Sequence, residues 1–190
     1  IYEMNKKKTL SVLGTGSFAF DTIVKREYPD GFIPGKRNRF VEKVVMEEIG
    51  SNPGNVMCIL GYLGWHSCPI ALFDDSAQGV QMTKDFLRYG CDTRFVNNSP
   101  DGGTNCLKVI HCLDEEGRPT RKFSKRHAPG SGFPRDKAFT VKGNDATLPL
   151  FIKSLDFLPD VYFYEGVTAA WRELGKYMRE KGVLVYYEVQ

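Results

Sequence analysis

The hydrophobic pattern of the chain alternates between short apolar runs and segments whose apolar residues recur every three or four positions. Short apolar runs are typical of buried strands, and the longer spacing is typical of one face of a helix. The predicted strands are Thr9–Leu13, Pro69–Phe73, Asp160–Tyr164 and Val183–Val189, and the predicted helices are Val56–Leu63, Val80–Leu87, Thr147–Leu158 and Thr168–Lys181. Because strands that alternate with helices form parallel sheets, the pattern predicts an α/β fold.

The helix predicted at 56–63 has a regular apolar face. Its apolar residues follow the i, i+3, i+4, i+7 spacing and are Val56, Ile59, Leu60 and Leu63. Gly64 stands where a left-handed residue would end the helix. We therefore expect this face to be buried.

Two regions predict strands that are partly exposed. Arg39–Ile49 mixes charged and apolar residues, as in a strand or hairpin arm with one face in solvent. Gly103–Leu113 and Thr120–Phe123 flank the acidic turn Asp114–Gly117 and predict a β-hairpin. The basic segment Lys122–Arg135, which is broken by Gly and Pro, predicts a mobile loop that is either solvated or faces a phosphate-bearing ligand.

Length and composition indicate one globular domain. The chain has 190 residues, of which 42% are hydrophobic and 26% charged, and this length suits one core rather than two. No apolar run approaches the length of a membrane span, and the first residues lack the order of a secretory signal, so we expect a cytoplasmic protein without a membrane partner. The net charge of +3 is too small to indicate nucleic-acid binding.

The cysteines and histidines predict neither a disulfide framework nor a metal site. The five cysteines include no C-x-x-C pair, so we expect reduced thiols, with Cys106 and Cys112 as small apolar groups on one strand face. His66, His111 and His127 have no neighbours at metal-ligand spacing. Each is expected to be structural or exposed to solvent.

The segment Gly50–Asn55 has the composition of a polar ligand site. It reads Gly-Ser-Asn-Pro-Gly-Asn and opens the predicted helix, whose first N–H groups lack partners within the helix. Asn52 and Asn55 add donors and acceptors, and the glycines allow a ligand to approach the backbone. A glycine-rich turn with an asparagine cap and no ligand fits the local pattern equally well.

A second glycine-rich segment follows the first predicted strand. Gly14, Gly16 and Ala19 match the G-x-G-x-x-G/A fingerprint of dinucleotide-binding proteins. That fingerprint requires a crossover helix directly after it, and the prolines and glycines at 29–35 leave no room for one. Asp21 is then either a solvated acid or a ligand group, because a carboxylate can accept hydrogen bonds from two neighbouring hydroxyls.

Acidic residues follow several predicted strands. Asp74 and Asp75 come directly after one of them and, with Ser76, are expected to cap the next helix. Because ligands of parallel sheets bind outside the carboxyl ends of the strands, we expect the acids at these ends to share one site. They are Asp21, Asp74, Asp75, Glu165 and Glu188.

These motifs, in this order, resemble the ribokinase, or PfkB, family of ATP-dependent carbohydrate kinases. Gly50–Asn55 resembles the first family signature, in which two glycines precede Asn-Pro-Gly-Asn, with Ser51 in place of the second glycine. Gly16–Asp21 resembles the Gly-x-x-x-x-Asp segment after the first strand, and Phe73–Asp75 with Gly79 resembles a Gly-Asp-Asp segment. The matches continue at Gly90–Thr93, Gly103–Thr104 and Asp114–Arg118. The resemblance therefore covers essentially the whole chain.

The resemblance implies a ribokinase-like three-layer α/β/α sandwich, Rossmann-like and with a mostly parallel sheet. A small β lid would come from about residues 22–48 and 104–123, and the C-terminal part of the fold would be missing, so that residues 1–190 form a single incomplete domain. The residues implied to hold sugar hydroxyls are Asp21, Gly50, Asn52 and Asn55, with Asn105 as a further substrate or lid contact.

The activity that the resemblance implies is transfer of the γ-phosphoryl group of ATP to a sugar hydroxyl, with Mg²⁺. In the family the base is an aspartate of a C-terminal Gly-Ala-Gly-Asp segment, and no Gly-x-Gly-Asp occurs in this chain. The chain ends Glu188-Val189-Gln190 where the family usually shows Asp-x-Asn, which places Glu188 and Gln190 on the ATP and Mg²⁺ side. We therefore expect the sugar-binding part of a kinase, with no catalytic residue of its own and inactive as this polypeptide.

Two alternatives predict different behaviour. A non-catalytic sugar or nucleoside binder would bind its ligand without ATP, and it could form a homodimer through exposed strand edges of the lid. An NAD-dependent oxidoreductase would need a helix that begins near Ser17, so an extended segment at 18–24 would exclude it. The spacing of residues does not determine which sugar or nucleoside binds.

Overall fold

Strands and helices alternate along the described part of the chain, as the hydrophobic pattern predicts. The computed structural model describes residues 9–100, 102–127, 139–141, 144–166 and 168–189, with the backbone alone at 125–127, 139–141 and 144–146. The helices are α1 (Ser51–Tyr62), α2 (Ala77–Arg88), α3 (Leu148–Ser154) and α4 (Ala169–Glu180). The strands are β1 (Ser11–Thr15), β2 (Ala19–Glu27), β3 (Val41–Gly50), β4 (His66–Pro69), β5 (Ala71–Phe73), β6 (Val96–Asn98), β7 (Asn105–Leu113), β8 (Pro119–His127), β9 (Phe139–Val141), β10 (Asn144–Ala146), β11 (Val161–Glu165) and β12 (Leu184–Glu188).

The central sheet is parallel and has the order β12-β11-β1-β4. In its register Leu13 of β1 lies opposite Tyr162 of β11 and Cys68 of β4. A second parallel pair, β5 with β6, begins after Ile70. The strand predicted at 69–73 is therefore two strands, because the chain changes its pairing partner at Ile70.

Helices cover both faces of the central sheet. Val12 and Phe163 belong to one apolar core, which includes buried residues of α1 and α2. Leu13 and Tyr162, one position away on the same strands, belong to another core with residues of α3 and α4. Because neighbouring side chains of a strand point to opposite faces, the sheet is buried on both sides. The predicted three-layer α/β/α arrangement is confirmed.

A second four-stranded sheet has the order β3-β2-β7-β8. β2 pairs antiparallel with β3 and parallel with β7, and β7 and β8 form the predicted hairpin around the acidic turn. β8 continues to His127, which lies opposite Asn105. Residues 122–127 of the segment predicted as a loop are therefore strand, because their backbone pairs with β7, and residues 128–135 lie outside the described residues.

The buried face of α1 is not the face that hydrophobic spacing predicts. Ile59 is 57% exposed and Leu63 is 66% exposed. The buried residues of this helix are Pro53, Gly54, Met57, Cys58 and Gly61. A Cβ at Gly61 would lie 2.7 Å from the carbonyl oxygen of Tyr89, so the helix packs closely through its glycines. Hydrophobic periodicity does not detect a face that is buried through glycines. The predicted end of the helix is confirmed, because Gly64 has a φ of 86°.

α3 is shorter than predicted, because it ends at Ser154 rather than at Leu158. The residues that follow it make other contacts. Arg94 binds both carboxylate oxygens of Asp156, at 2.9 and 2.8 Å, and the ring of Phe157 packs against His66.

Two further predictions concern the oxidation state of the cysteines and membrane-spanning segments. All five cysteines are free thiols. Among the helices of the described residues, none combines the length and the apolarity that crossing a bilayer requires.

Candidate functional site

The carboxylate of Asp21 lies against the turn that leads from β3 into α1. In the register of β2 with β3, Ala19 lies opposite Gly50 and Asp21 opposite Glu48. A Cβ built at Gly50 would lie 2.0 Å from Asp21 Oδ2, so any other side chain here would displace the carboxylate. The backbone N–H of Ser51 donates a hydrogen bond to the same carboxylate. The structure therefore brings together two of the predicted substrate-binding residues, Asp21 and Gly50.

One carboxylate oxygen of Asp21 is buried at this turn. This oxygen, Oδ1, makes no hydrogen bond within the described part of the chain. Burial raises the pKa of the Asp21 carboxyl above its ordinary value; the Ser51 N–H opposes this shift, and the nearby charge of Glu48 adds to it. Because a buried acceptor without a donor destabilises the fold, the hydroxyl groups of a ligand would stabilise this arrangement.

Ser51 adopts a left-handed backbone conformation, with a φ of 67°. This conformation costs a residue with a Cβ about 1–2 kcal/mol, a cost that glycine avoids. The family signature that the sequence resembles has glycine at this position, and the backbone angle gives a physical reason for that preference. α1 begins here, five residues before the predicted helix, and its N-terminus faces the carboxylate of Asp21.

Asn52 connects the turn to the end of the parallel sheet. Its Nδ2 donates a hydrogen bond of 2.8 Å to Oε1 of Glu188, the last residue of β12. Asn52, Asn55 and Glu188 line a cavity of about 500 Å³ between α1 and the sheet, and most of its remaining wall is apolar. The structure thus brings Asn52, predicted to bind substrate, into contact with Glu188, predicted to lie on the ATP side, and places Asn55 in the same cavity wall.

The glycines of the dinucleotide fingerprint allow α1 to pack closely on β1. A Cβ at Gly14 would lie 2.3 Å from the sulfur of Met57, and one at Gly16 would lie 2.8 Å from a ring carbon of Pro53. The segment after them is β2, which begins at Ala19, and is not a helix. The oxidoreductase alternative, which requires a helix at this point, is therefore wrong.

The acids at the strand ends do not all converge on one site. Glu165 is buried, and its Oε2 accepts a hydrogen bond of 3.1 Å from the backbone N–H of Ser17. Asp74 lines a separate cavity of about 640 Å³ together with Thr22. Since Thr22 and Asp21 are neighbours on a strand, they point to opposite faces of β2, and Asp74 is on the face away from the Asp21 side chain.

Ser76 caps α2 as predicted, but the two aspartates before it do not. Its hydroxyl oxygen accepts a hydrogen bond of 3.1 Å from the backbone N–H of Gly79. Asp74 Oδ1 accepts hydrogen bonds from the hydroxyls of Ser76 and Thr104, and so holds the start of α2 beside the segment that leads into β7. Asp75 is exposed.

Asn105 and Gln190 are the remaining predicted site residues. The Nδ2 of Asn105 donates a hydrogen bond of 3.3 Å to the carbonyl oxygen of Phe18, which holds the loop before β2. A substrate contact by Asn105 stays a prediction. Gln190 lies outside the described residues.

Asp85, which no sequence motif indicates, supports the end of β3. Asp85 is 1% exposed, and its Oδ2 accepts a hydrogen bond of 2.9 Å from the backbone N–H of Ile49. Its Oδ1 accepts one of 2.9 Å from Gln81. Ile49 immediately precedes Gly50, so α2 holds the turn in place. The signal for Asp85 in the sequence is its spacing from Met82 and Phe86, the apolar residues with which it shares the buried face of α2.

The arrangement at the turn suits a small ligand with several hydroxyl groups. A carboxylate can accept hydrogen bonds from two hydroxyls, and asparagine amides both donate and accept. Small-molecule sites typically place a few such polar groups in a concave surface.

Solved structures with the same fold include sugar kinases of the PfkB family. Fructokinase from Xylella fastidiosa aligns with a TM-score of 0.63 at 18% identity, covering 95% of this chain and 50% of that one. The 2-dehydro-3-deoxygluconokinase from Thermotoga maritima aligns with a TM-score of 0.62 at 14% identity, covering 96% and 51%. Ribokinase from Arabidopsis thaliana, complexed with ribose and ATP, aligns with a TM-score of 0.62 at 14% identity, covering 95% and 53%.

This likeness establishes a ribokinase-like fold. The chain spans about half the length of the solved structures that it matches. No protein-family model matches the sequence, and no curated protein matches it.

Proposed function

We propose that the chain is the sugar-binding part of an ATP-dependent carbohydrate kinase, an enzyme that transfers the γ-phosphoryl group of ATP to a sugar hydroxyl. The observation that carries this proposal is the buried oxygen of Asp21 beside Gly50, which has no hydrogen-bond partner among the described residues. That oxygen requires a donor, and a sugar hydroxyl provides one. The fold of the sugar kinases supports a sugar as the ligand.

In this proposal Asp21 orients the sugar by accepting hydrogen bonds from two neighbouring hydroxyls. The N–H of Ser51 favours the ionised carboxylate, which is the form that accepts both. Asn52 and Asn55 contribute amide groups from the start of α1, and Gly50 lets the sugar ring approach the backbone. The sheet β3-β2-β7-β8, which we call the lid, covers the bound sugar and excludes water.

ATP and Mg²⁺ enter the proposal as cofactors of a complete protein. When bound, ATP supplies the phosphoryl group and Mg²⁺ neutralises its charge. The described residues do not by themselves fit a nucleotide. The Asp21 carboxylate faces the N-terminus of α1, where phosphates often bind, and Glu188 repels phosphate unless a cation lies between them. We therefore assign the catalytic base and most of the nucleotide site to residues beyond this chain, with Glu188 and Gln190 at the edge of that site.

The first prediction is that the 190-residue chain binds a sugar but does not phosphorylate it. Isothermal titration calorimetry with ribose, fructose, 2-dehydro-3-deoxygluconate and adenosine is expected to give saturable binding of one of these ligands at a ratio of one to one. With ATP and Mg²⁺ added, ADP formation is expected to stay at the background rate, because the sequence contains no Gly-x-Gly-Asp segment.

Two results would contradict these expectations separately. If none of the ligands in the panel binds at millimolar concentration, the proposed sugar site is contradicted. Sugar-dependent ADP formation would show that the chain carries its own base. Binding of adenosine alone would favour the non-catalytic nucleoside binder.

The proposal includes a homodimer that forms through the lid. β3 is an edge strand of the lid, and exposed apolar edge strands pair readily with a second copy. Its exposed apolar residues are Val41 (45%), Val44 (55%), Val45 (64%) and Met46 (40%).

The second prediction is that Val45→Lys dissociates this dimer. Sedimentation equilibrium is expected to show a dimer for the unchanged chain and a monomer for the variant, because a lysine at the edge disfavours pairing. Leu87→Lys, at a residue of α2 that is 58% exposed, is the matched control and should remain dimeric. A monomeric unchanged chain, or dissociation by both variants alike, would contradict a lid interface.

A further inference from the structure

Three side chains with metal-binding atoms meet at the amino end of the parallel sheet. His66 begins β4, and Cys68 lies two residues later on the same face of the strand. Asp92, in the segment after α2, is held beside β4 because its backbone N–H donates a hydrogen bond of 2.8 Å to the carbonyl oxygen of Ser67. The Nε2 of His66, the Sγ of Cys68 and a carboxylate oxygen of Asp92 all lie within 4.8 Å of one another.

Two of the three separations between these atoms are close to those around a tetrahedral ion. His66 Nε2 lies 2.9 Å from Asp92 Oδ2 and 3.4 Å from Cys68 Sγ. Bonds of about 2.0–2.3 Å from Zn²⁺ to nitrogen, oxygen and sulfur place neighbouring ligand atoms about 3.2–3.6 Å apart. To hold an ion, the ligand atoms of His66 and Asp92 would move apart by about 0.4 Å, and those of Cys68 and Asp92, now within 4.8 Å, would turn toward the same centre.

The surroundings also match those of a metal site. Arg94 donates hydrogen bonds to both carboxylate oxygens of Asp92, from Nε at 2.6 Å and from the backbone N–H at 3.1 Å, as outer partners of metal-bound carboxylates do. The ring of Phe157 packs on the imidazole of His66 with centroids 4.8 Å apart, which limits its rotation. The side chain of His66 is 37% exposed, so water can reach a fourth position, whereas Cys68 is buried.

We propose that His66, Cys68 and Asp92 bind one Zn²⁺ ion, with water as the fourth ligand. A nitrogen, a sulfur and an oxygen donor suit Zn²⁺, whereas Mg²⁺ and Ca²⁺ prefer oxygen donors alone. On binding, the thiol of Cys68 releases its proton to solvent, and the thiolate and carboxylate balance the charge of the ion. The ion ties β4 to the segment after α2.

This site is independent of the proposed sugar site. His66 lies opposite Ser11, the first residue of β1, whereas Asp21 follows the carboxyl end of that strand. Spacing along the sequence conceals the site, because a His-x-Cys pair is completed by an acid 24 residues beyond the cysteine.

The third prediction tests this site with Zn²⁺ and Co²⁺ on the 190-residue chain. Calorimetry with ZnCl₂ is expected to give one ion per chain. Co²⁺ is expected to produce the intense visible absorption of a tetrahedral ion and a thiolate-to-cobalt charge-transfer band. In Cys68→Ser the charge-transfer band should disappear, and His66→Ala should weaken Zn²⁺ binding at least about tenfold, by analogy with the loss of outer partners at known sites.

Matched variants identify the ligands. His111→Ala and Cys106→Ser change a histidine and a cysteine of β7 and should leave both metals bound as before. His66→Ala is suited to the test because its side chain is already partly exposed, and circular dichroism with and without Zn²⁺ checks that it folds. No one-to-one Zn²⁺ binding by the unchanged chain at micromolar concentration, or equal affinity in His66→Ala, would overturn the site.

Discussion

Replacing Asp21 with asparagine is expected to abolish measurable sugar binding and to raise the melting temperature of the chain. The carboxylate accepts two hydroxyl hydrogen bonds in the proposed complex, and hydrogen bonds to charged groups are worth about 1.5–3 kcal/mol each. Their loss should weaken affinity by about 100-fold or more. Without sugar, however, the Asp21 carboxylate is desolvated, and one of its oxygens has no partner in the part of the chain that the structure describes. The neutral amide should therefore stabilise the free protein. Calorimetry and a thermal melt measure the two effects.

The pH dependence of stability provides the control for this fourth prediction. Burial raises the folded-state pKa of Asp21 above the value of about 3.9 expected in the unfolded chain. The stabilising effect of the protonated carboxyl is therefore fully present below the unfolded pKa and is lost as pH rises through the raised folded pKa. In urea titrations across this range, the unchanged chain should lose stability relative to Asp21→Asn as pH rises. Parallel curves for the two proteins would show that the Asp21 carboxyl is not desolvated.

Asp85→Ala is expected to destabilise the fold by about 2–4 kcal/mol, because it leaves the buried backbone N–H of Ile49 without its acceptor. For a chain of this length that loss corresponds to a fall of roughly 5–15 °C in melting temperature. Sugar affinity should fall as well, since Ile49 leads directly into Gly50. Urea unfolding monitored by circular dichroism measures the first effect, and calorimetry measures the second.

Gln81→Ala is the matched control for this fifth prediction. It removes the hydrogen bond to the other oxygen of Asp85 but leaves the bond to Ile49 in place. Its cost should stay near 1 kcal/mol, the typical value of one side-chain hydrogen bond. Equal costs for the two variants would mean that the contact between Asp85 and the end of β3 does not support the turn.

The glycines of this chain illustrate how one residue type serves several purposes. Gly14 and Gly16 match a nucleotide fingerprint, yet their missing side chains make room for Met57 and Pro53 of α1. Gly50 makes room for a carboxylate instead. A motif made of glycines predicts a close approach without specifying what approaches, and the partner depends on how the elements pack.

The elements and their layers could be predicted from sequence because their signals are local. Alternating short apolar runs and amphipathic segments predicted the strands and helices of the α/β/α sandwich, and the order of the motifs along the chain indicated a ribokinase-like fold. The position of Asp21 after the first strand and the composition of Gly50–Asn55 singled out the same turn that the structure presents. The direct contact between Asp21 and Gly50 depends on the pairing of β2 with β3, which no local pattern in the sequence predicts.

The sequence by itself determined the order of strands and helices and the polar character of the turn at Gly50, because hydrophobic period and turn chemistry are properties of neighbouring residues. Only the tertiary structure decided which face of α1 is buried, which partner Gly50 accommodates, and that His66 and Cys68 meet Asp92. These depend on strand register and on close packing between residues far apart in the chain.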